Sequence, residues 1–108
     1  MVFDVYTIAY FDKQFKRLAK KYPSLNLEIN QLIKLLKSEP KTGFSIGNDC
    51  YKIRLAISSK GRGKSGGTRI IACVTFSENT IYLLSIYDKS EQENINDKEL
   101  VSLLEKVK

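Results

Sequence analysis

Apolar residues recur along this chain with two different periods, and the switches between them outline its elements. VFDVYTI, residues 2–8, is β-branched and aromatic around a single acid, Asp4, and predicts an opening strand. Phe11, Phe15, Leu18 and Tyr22 follow at spacings of four, three and four, a stripe that predicts a helix ending before Pro23. Ser24 is placed to cap a second helix, in which Leu25, Ile29, Leu32 and Leu36 repeat the stripe until Pro40 forbids continuation. The two helices form a hairpin whose apolar side is available to a sheet.

KTGFSIGND, residues 41–49, reads as a loop from its Gly, Ser and Asn content. CYKIRLAI, residues 50–57, then changes to a period of two. Tyr51, Ile53, Leu55 and Ile57 take one face, while Lys52 and Arg54 share the other. TRIIACVTF (68–76) and TIYLLSIY (80–87) predict two further strands, joined by a turn at Ser77, Glu78 and Asn79. After the polar DKSEQENI, Asn96 with Glu99 three residues on resembles a capping box, opening a last helix with Leu100, Leu103, Leu104 and Val107 inward. The order is strand, two helices, three strands, helix. It predicts an α+β fold, an antiparallel-rich sheet of about four strands packed against an N-terminal helical hairpin, with a C-terminal helix.

At 108 residues and 43% hydrophobic, the chain supports one core, so residues 1–108 are expected to form a single domain. No apolar run approaches the ~20 residues that span a bilayer, and MVFDVYTIAYFDK lacks the features of a signal peptide. The expectation is a cytoplasmic protein with no membrane partner. Cys50 and Cys73 stand far apart without a CxxC motif, and there is no histidine. Neither a zinc site nor a disulfide framework is suggested, imidazole-based triads are excluded, and both cysteines read as small buried hydrophobes.

Charge becomes informative once mapped. The net charge is +6, and Lys52, Arg54, Lys60, Arg62, Lys64 and Arg69 form a run of six cations containing no acid. The twelve remaining cations are matched by twelve acids, so the entire excess lies in that segment. One concentrated basic face on an otherwise balanced surface suits a polyanion, because bound Lys and Arg displace counterions condensed on phosphates. The lysines of the first helix, by contrast, read as a solvated face.

GRGKSGGTR, residues 61–69, could suggest a phosphate loop, but it leads into a β-branched strand and offers no helix N-terminus. As a hairpin connection it exceeds the usual two to five residues. Lys52 and Arg54 precede it and Arg69 follows it, so antiparallel pairing can gather the three at one surface, with Lys60, Arg62 and Lys64 folding over it as a cationic flap.

YKIRLA, SKGRGKSGGTRII and IYLLSIYDKSEQENI, in that order, resemble the RelE/HigB superfamily of bacterial toxins, most closely the HigB type. The resemblance is dense over residues 50–95. It implies a fold like that of compact microbial ribonucleases, a ribosome-dependent endoribonuclease cutting translated mRNA in the A site, and a cognate antitoxin as partner beside ribosome and mRNA. No metal and no cofactor is implied. By resemblance, Lys52 takes the proton from a ribose 2′-hydroxyl, Arg54 holds the phosphate, Arg69 steadies the phosphorane, and Lys89 assists the departing 5′-oxygen. The products would be a 2′,3′-cyclic phosphate and a 5′-hydroxyl. Where some members carry a nucleotide-aligning tyrosine this chain has Ile95; Tyr87 is the nearest substitute, with Tyr51 and Tyr82 as further options and sheet packing as the competing role of each.

Elementary chemistry supports that division of labour. A free lysine titrates near ~10.4 and arginine above ~12, and only lysine can be moved into working range by like-charge crowding. Lys52 is therefore the candidate base, and the arginines are electrostatic stabilisers. Two other classes fit the same fold: a non-nucleolytic toxin such as a ParE-like gyrase inhibitor, and a basic module that only binds RNA or the ribosome.

Overall fold

The computed structural model describes residues 2–57, 67–89, 91 and 95–107. Strand β1 (Asp4–Thr7) leads into α1 (Ala9–Lys21) and α2 (Leu25–Ser38). Strands β2 (Phe44–Gly47), β3 (Cys50–Leu55), β4 (Thr68–Thr75) and β5 (Thr80–Asp88) follow, with a 3₁₀ turn at Phe76–Glu78, and α3 (Asp97–Glu105) comes last. The sheet runs β1-β5-β4-β3-β2, with β1 parallel to β5 and the other neighbours antiparallel. This is the expected α+β class. Among the described residues, no helix is long and apolar enough to cross a membrane.

Helix limits follow local chemistry. The residue before a proline is pushed out of the helical region, and Tyr22 (φ −125°, ψ 92°) and Glu39 (φ −131°, ψ 76°) end α1 and α2 ahead of Pro23 and Pro40. Asp12 in the first turn of α1 and Lys20 and Lys21 in its last turn complement the helix dipole. Asn96 caps α3 as expected, its Oδ1 accepting from the Glu99 N–H at 2.8 Å. Ser24 does not cap α2 through its side chain: it already has helical dihedrals, because the Leu25 N–H donates to Tyr22 O and tightens the turn between the helices. Its hydroxyl instead donates to Glu28 Oε1.

The loop expected over residues 41–49 is in part the edge strand β2, which makes the sheet five-stranded among the described residues. Asn48 and Asp49 both adopt left-handed dihedrals (φ 56° and 57°), which is what a two-residue turn matched to strand twist requires. Asn and Asp tolerate that region better than most residues. Gly43 allows β2 to lie against β3: a Cβ there would stand 2.5 Å from the Lys52 carbonyl oxygen.

Each face of the sheet has its own core. Leu18, Leu25, Leu32 and Leu36 of the helical hairpin pack on Ile53, Ile70, Ile81, Leu83 and Ile86. On the other face Leu100 and Leu103 of α3 join Cys50, Ile71, Cys73, Leu84 and Tyr87. A bulge in β5 decides which side Tyr87 takes. Ile71 pairs with Ser85 but Ala72 pairs with Leu83, so Leu84 is an extra residue and the inside–outside alternation slips by one. Ile81 and Leu83 face the hairpin before the slip and Ile86 after it, which sends Tyr87 to the opposite face.

Gln14 of α1 holds this bulge, its Oε1 accepting from the Ile86 N–H and from the Ser85 hydroxyl, each at 3.1 Å. Gln14→Ala leaves a backbone donor without that acceptor. It is expected to lower the urea-unfolding free energy by about 1–3 kcal/mol.

Candidate active site

Alternation along β3 puts Tyr51, Ile53 and Leu55 against the helical hairpin and Cys50, Lys52 and Arg54 on the other face. Register carries the pattern across the sheet. Arg54 pairs with Arg69, and Arg69 with Tyr87, giving one transverse row over three strands. Lys52 begins the adjacent row, opposite Phe44 on one side and Ile71 on the other. Lys52, Arg54 and Arg69 therefore lie on one face of the sheet, Lys52 half-buried, Arg54 exposed, and Arg69 only 4% exposed.

Burying a guanidinium is costly unless its donors are matched. Arg69 Nη1 is buried without a hydrogen-bond partner among the described residues, and so is the Tyr87 hydroxyl. Directly opposed like charges, as at Arg54 and Arg69, add to the cost. Folding thus leaves a buried guanidinium with one donor unmatched among the described residues beside a second cation, an arrangement that an anion would satisfy. Burial pushes the Tyr87 hydroxyl above its ordinary pKa; Arg69 opposes that shift and the Glu99 carboxylate adds to it. Its phenol therefore keeps its proton.

Lys89 stands one residue beyond β5, exposed, with its N–H donating to Gly67 O at 3.4 Å, at the end of β4 that carries Arg69. Two contacts fix the chain on either side of it. The Tyr22 hydroxyl donates to Asp88 Oδ2 at 2.9 Å, and Arg17 spans both Glu91 carboxylate oxygens at 3.1 and 3.2 Å. Lys60, Arg62 and Lys64, expected in the flap, lie outside the described residues.

Tyr87 is 3% exposed, so its ring is core under α3, in the position opposite Arg69. Tyr51 packs on the helical-hairpin side, Tyr82 is half-buried against Tyr6 with ring centroids 5.9 Å apart, and Ile95 packs against the α3 core. The aromatic residue that sequence reasoning missed at this site is Phe44, 62% exposed, with the Arg54 guanidinium 5.8 Å from its ring centroid. It was hidden because residues 41–49 read as a loop. The one available signal was that GFSIG leads into a turn-competent Asn-Asp pair with an alternating strand directly after it.

The two cysteines are free and buried, as expected, and occupy directly opposed positions two residues or more from the cationic rows. The Val74 N–H donates to Asp49 O, which marks Cys50–Cys73 as a non-hydrogen-bonded pair, the closer of the two antiparallel spacings. A hydrogen bond from the Cys50 thiol to the Cys73 sulfur, reinforced by burial, pushes Cys50 up, and the same bond draws Cys73 down against the opposing effect of burial.

A five-stranded mixed sheet backed by a helical hairpin is a fold that solved toxin structures share. E. coli toxin RelE, an arginine double mutant in the free state, superposes with a TM-score of 0.65 at 14% identity, covering 100% of both chains. A metal-bound toxin from Helicobacter pylori gives 0.53 at 20% identity, covering 85% of this chain and 99% of its own. Such identities speak to fold alone. The sequence over residues 8–108 matches the family described as the RelE toxin of the RelE/RelB toxin–antitoxin system. The chain belongs to that family.

Proposed function

We propose that this toxin is a ribosome-dependent endoribonuclease that cuts translated mRNA in the ribosomal A site and is held in check by a cognate antitoxin. The observation that carries the reading is the convergence of Lys52, Arg54 and Arg69 on one sheet face, with buried Arg69 Nη1 lacking a partner among the described residues. A scissile phosphate is the anion this arrangement suits. Lys52 takes the proton of the 2′-hydroxyl as that oxygen attacks phosphorus. Arg54 holds a non-bridging oxygen, and Arg69 meets the charge that grows on the phosphorane. As the bond to the 5′-oxygen breaks, Lys89 gives that oxygen a proton, leaving a 2′,3′-cyclic phosphate and a 5′-hydroxyl. Lys60, Arg62 and Lys64 supply further phosphate contacts, and the Tyr87 hydroxyl supplies a neutral donor next to Arg69.

Cell-free translation with purified protein tests this. Transcripts are expected to be cut within codons when ribosomes are present and to survive when ribosomes are omitted. Intact transcripts in the complete system, or equal cutting of naked RNA, would contradict the reading.

A further inference from the structure

Phe44 sits on the edge strand, and its neighbours make its exposure informative. A single exposed apolar ring is ordinary. This ring, however, lies directly opposite Lys52, at a separation of about 5 Å between Cβ atoms for such a pair, and under the Arg54 guanidinium at 5.8 Å. Two basic residues assigned to the reacting ribose and phosphate thus flank an aromatic surface that remains 62% exposed. The tyrosines nearby do not offer the same surface: Tyr87 is core, Tyr51 is on the other side of the sheet, and Tyr82 lies against Tyr6.

We infer that Phe44 is the base-stacking platform of the site: the nucleobase next to the cut lies on its ring while Arg54 and Lys52 engage the same nucleotide's phosphate and ribose. Every base has a π-face, so the contact grips RNA without selecting a sequence, and the overlying guanidinium pre-sets the ring's orientation. Gly43 makes this placement possible, since the close approach of β2 to the Lys52 carbonyl brings Phe44 into register with the proposed base. The inference rests on the ribonuclease reading and adds to it the residue that positions the substrate.

The test is single-turnover cutting of ribosome-bound mRNA, using natural templates and templates with an abasic nucleotide at each A-site position in turn. Phe44→Ala is expected to weaken kcat/KM on the natural template by ~5- to 150-fold, Phe44→Tyr to stay within a few-fold of wild type, and Phe44→Leu to resemble alanine. On the template lacking the stacked base, wild type should fall to the level of Phe44→Ala, and the alanine variant should lose nothing more. An alanine penalty of equal size on every abasic template, or a leucine variant as active as wild type, overturns the inference while leaving the ribonuclease intact. Wild type that cuts no template removes the ribonuclease reading, and this inference with it.

Discussion

Arg69→Ala is expected to slow mRNA cutting by about 10²–10³-fold, the loss seen when one preorganised donor to a developing oxyanion is removed. The guanidinium is held by the middle of the sheet and shielded from water, so its charge is worth more to the phosphorane than a surface cation's. Arg69→Lys should recover little, because an ammonium cannot present two parallel donors from the same depth. The same residue should weaken the fold it sits in. With Nη1 unmatched among the described residues and Arg54 directly opposite, Arg69→Met is expected to raise the urea-unfolding free energy by about 1–3 kcal/mol while abolishing activity. A variant both less stable and inactive would instead make Arg69 a structural residue.

Lys52→Ala carries the second large effect, a fall of about 10²–10⁴ in the single-turnover rate constant, the range of a lost general base. Lys52→Arg separates proton transfer from electrostatics. Arginine keeps the positive charge next to Arg54 but cannot give up its proton, so substrate should bind nearly as before while the chemical step stays as slow as with alanine. Recovery of the rate by arginine would reassign Lys52 to phosphate binding. The two substitutions probe adjacent rows of one face, so their effects should combine to much less than their product.

The features legible in sequence are those a single segment determines. Alternation in residues 50–57 put Lys52 and Arg54 on one face without reference to anything else, and the apolar stripes of α1 and α2 fixed the helical hairpin in the same way. What escaped depends on partners far along the chain. β2 is four residues long and becomes a strand because Gly43 and the Asn48–Asp49 turn lay it on β3; its two strand formers, Phe44 and Ile46, are too few to mark it against the Gly and Ser around them. The bulge at Leu84 is held by Gln14, seventy residues earlier, and without it Tyr87 would face the helical hairpin. Phe44 was lost with β2, and the burial of Tyr87 with the bulge. Ser24 failed as a cap because the chain leaving Pro23 is already helical when it reaches that residue.

In the proposed mechanism, the face holding Lys52, Arg54 and Arg69 cuts RNA by using the ribose hydroxyl next to the bond that breaks. The most direct measurement replaces that one nucleotide by its 2′-deoxy form in an otherwise unchanged mRNA on ribosomes. Cutting should vanish at the substituted position alone, while the unmodified template gives a 2′,3′-cyclic phosphate upstream and a 5′-hydroxyl downstream. Undiminished cutting at the deoxy position would contradict it.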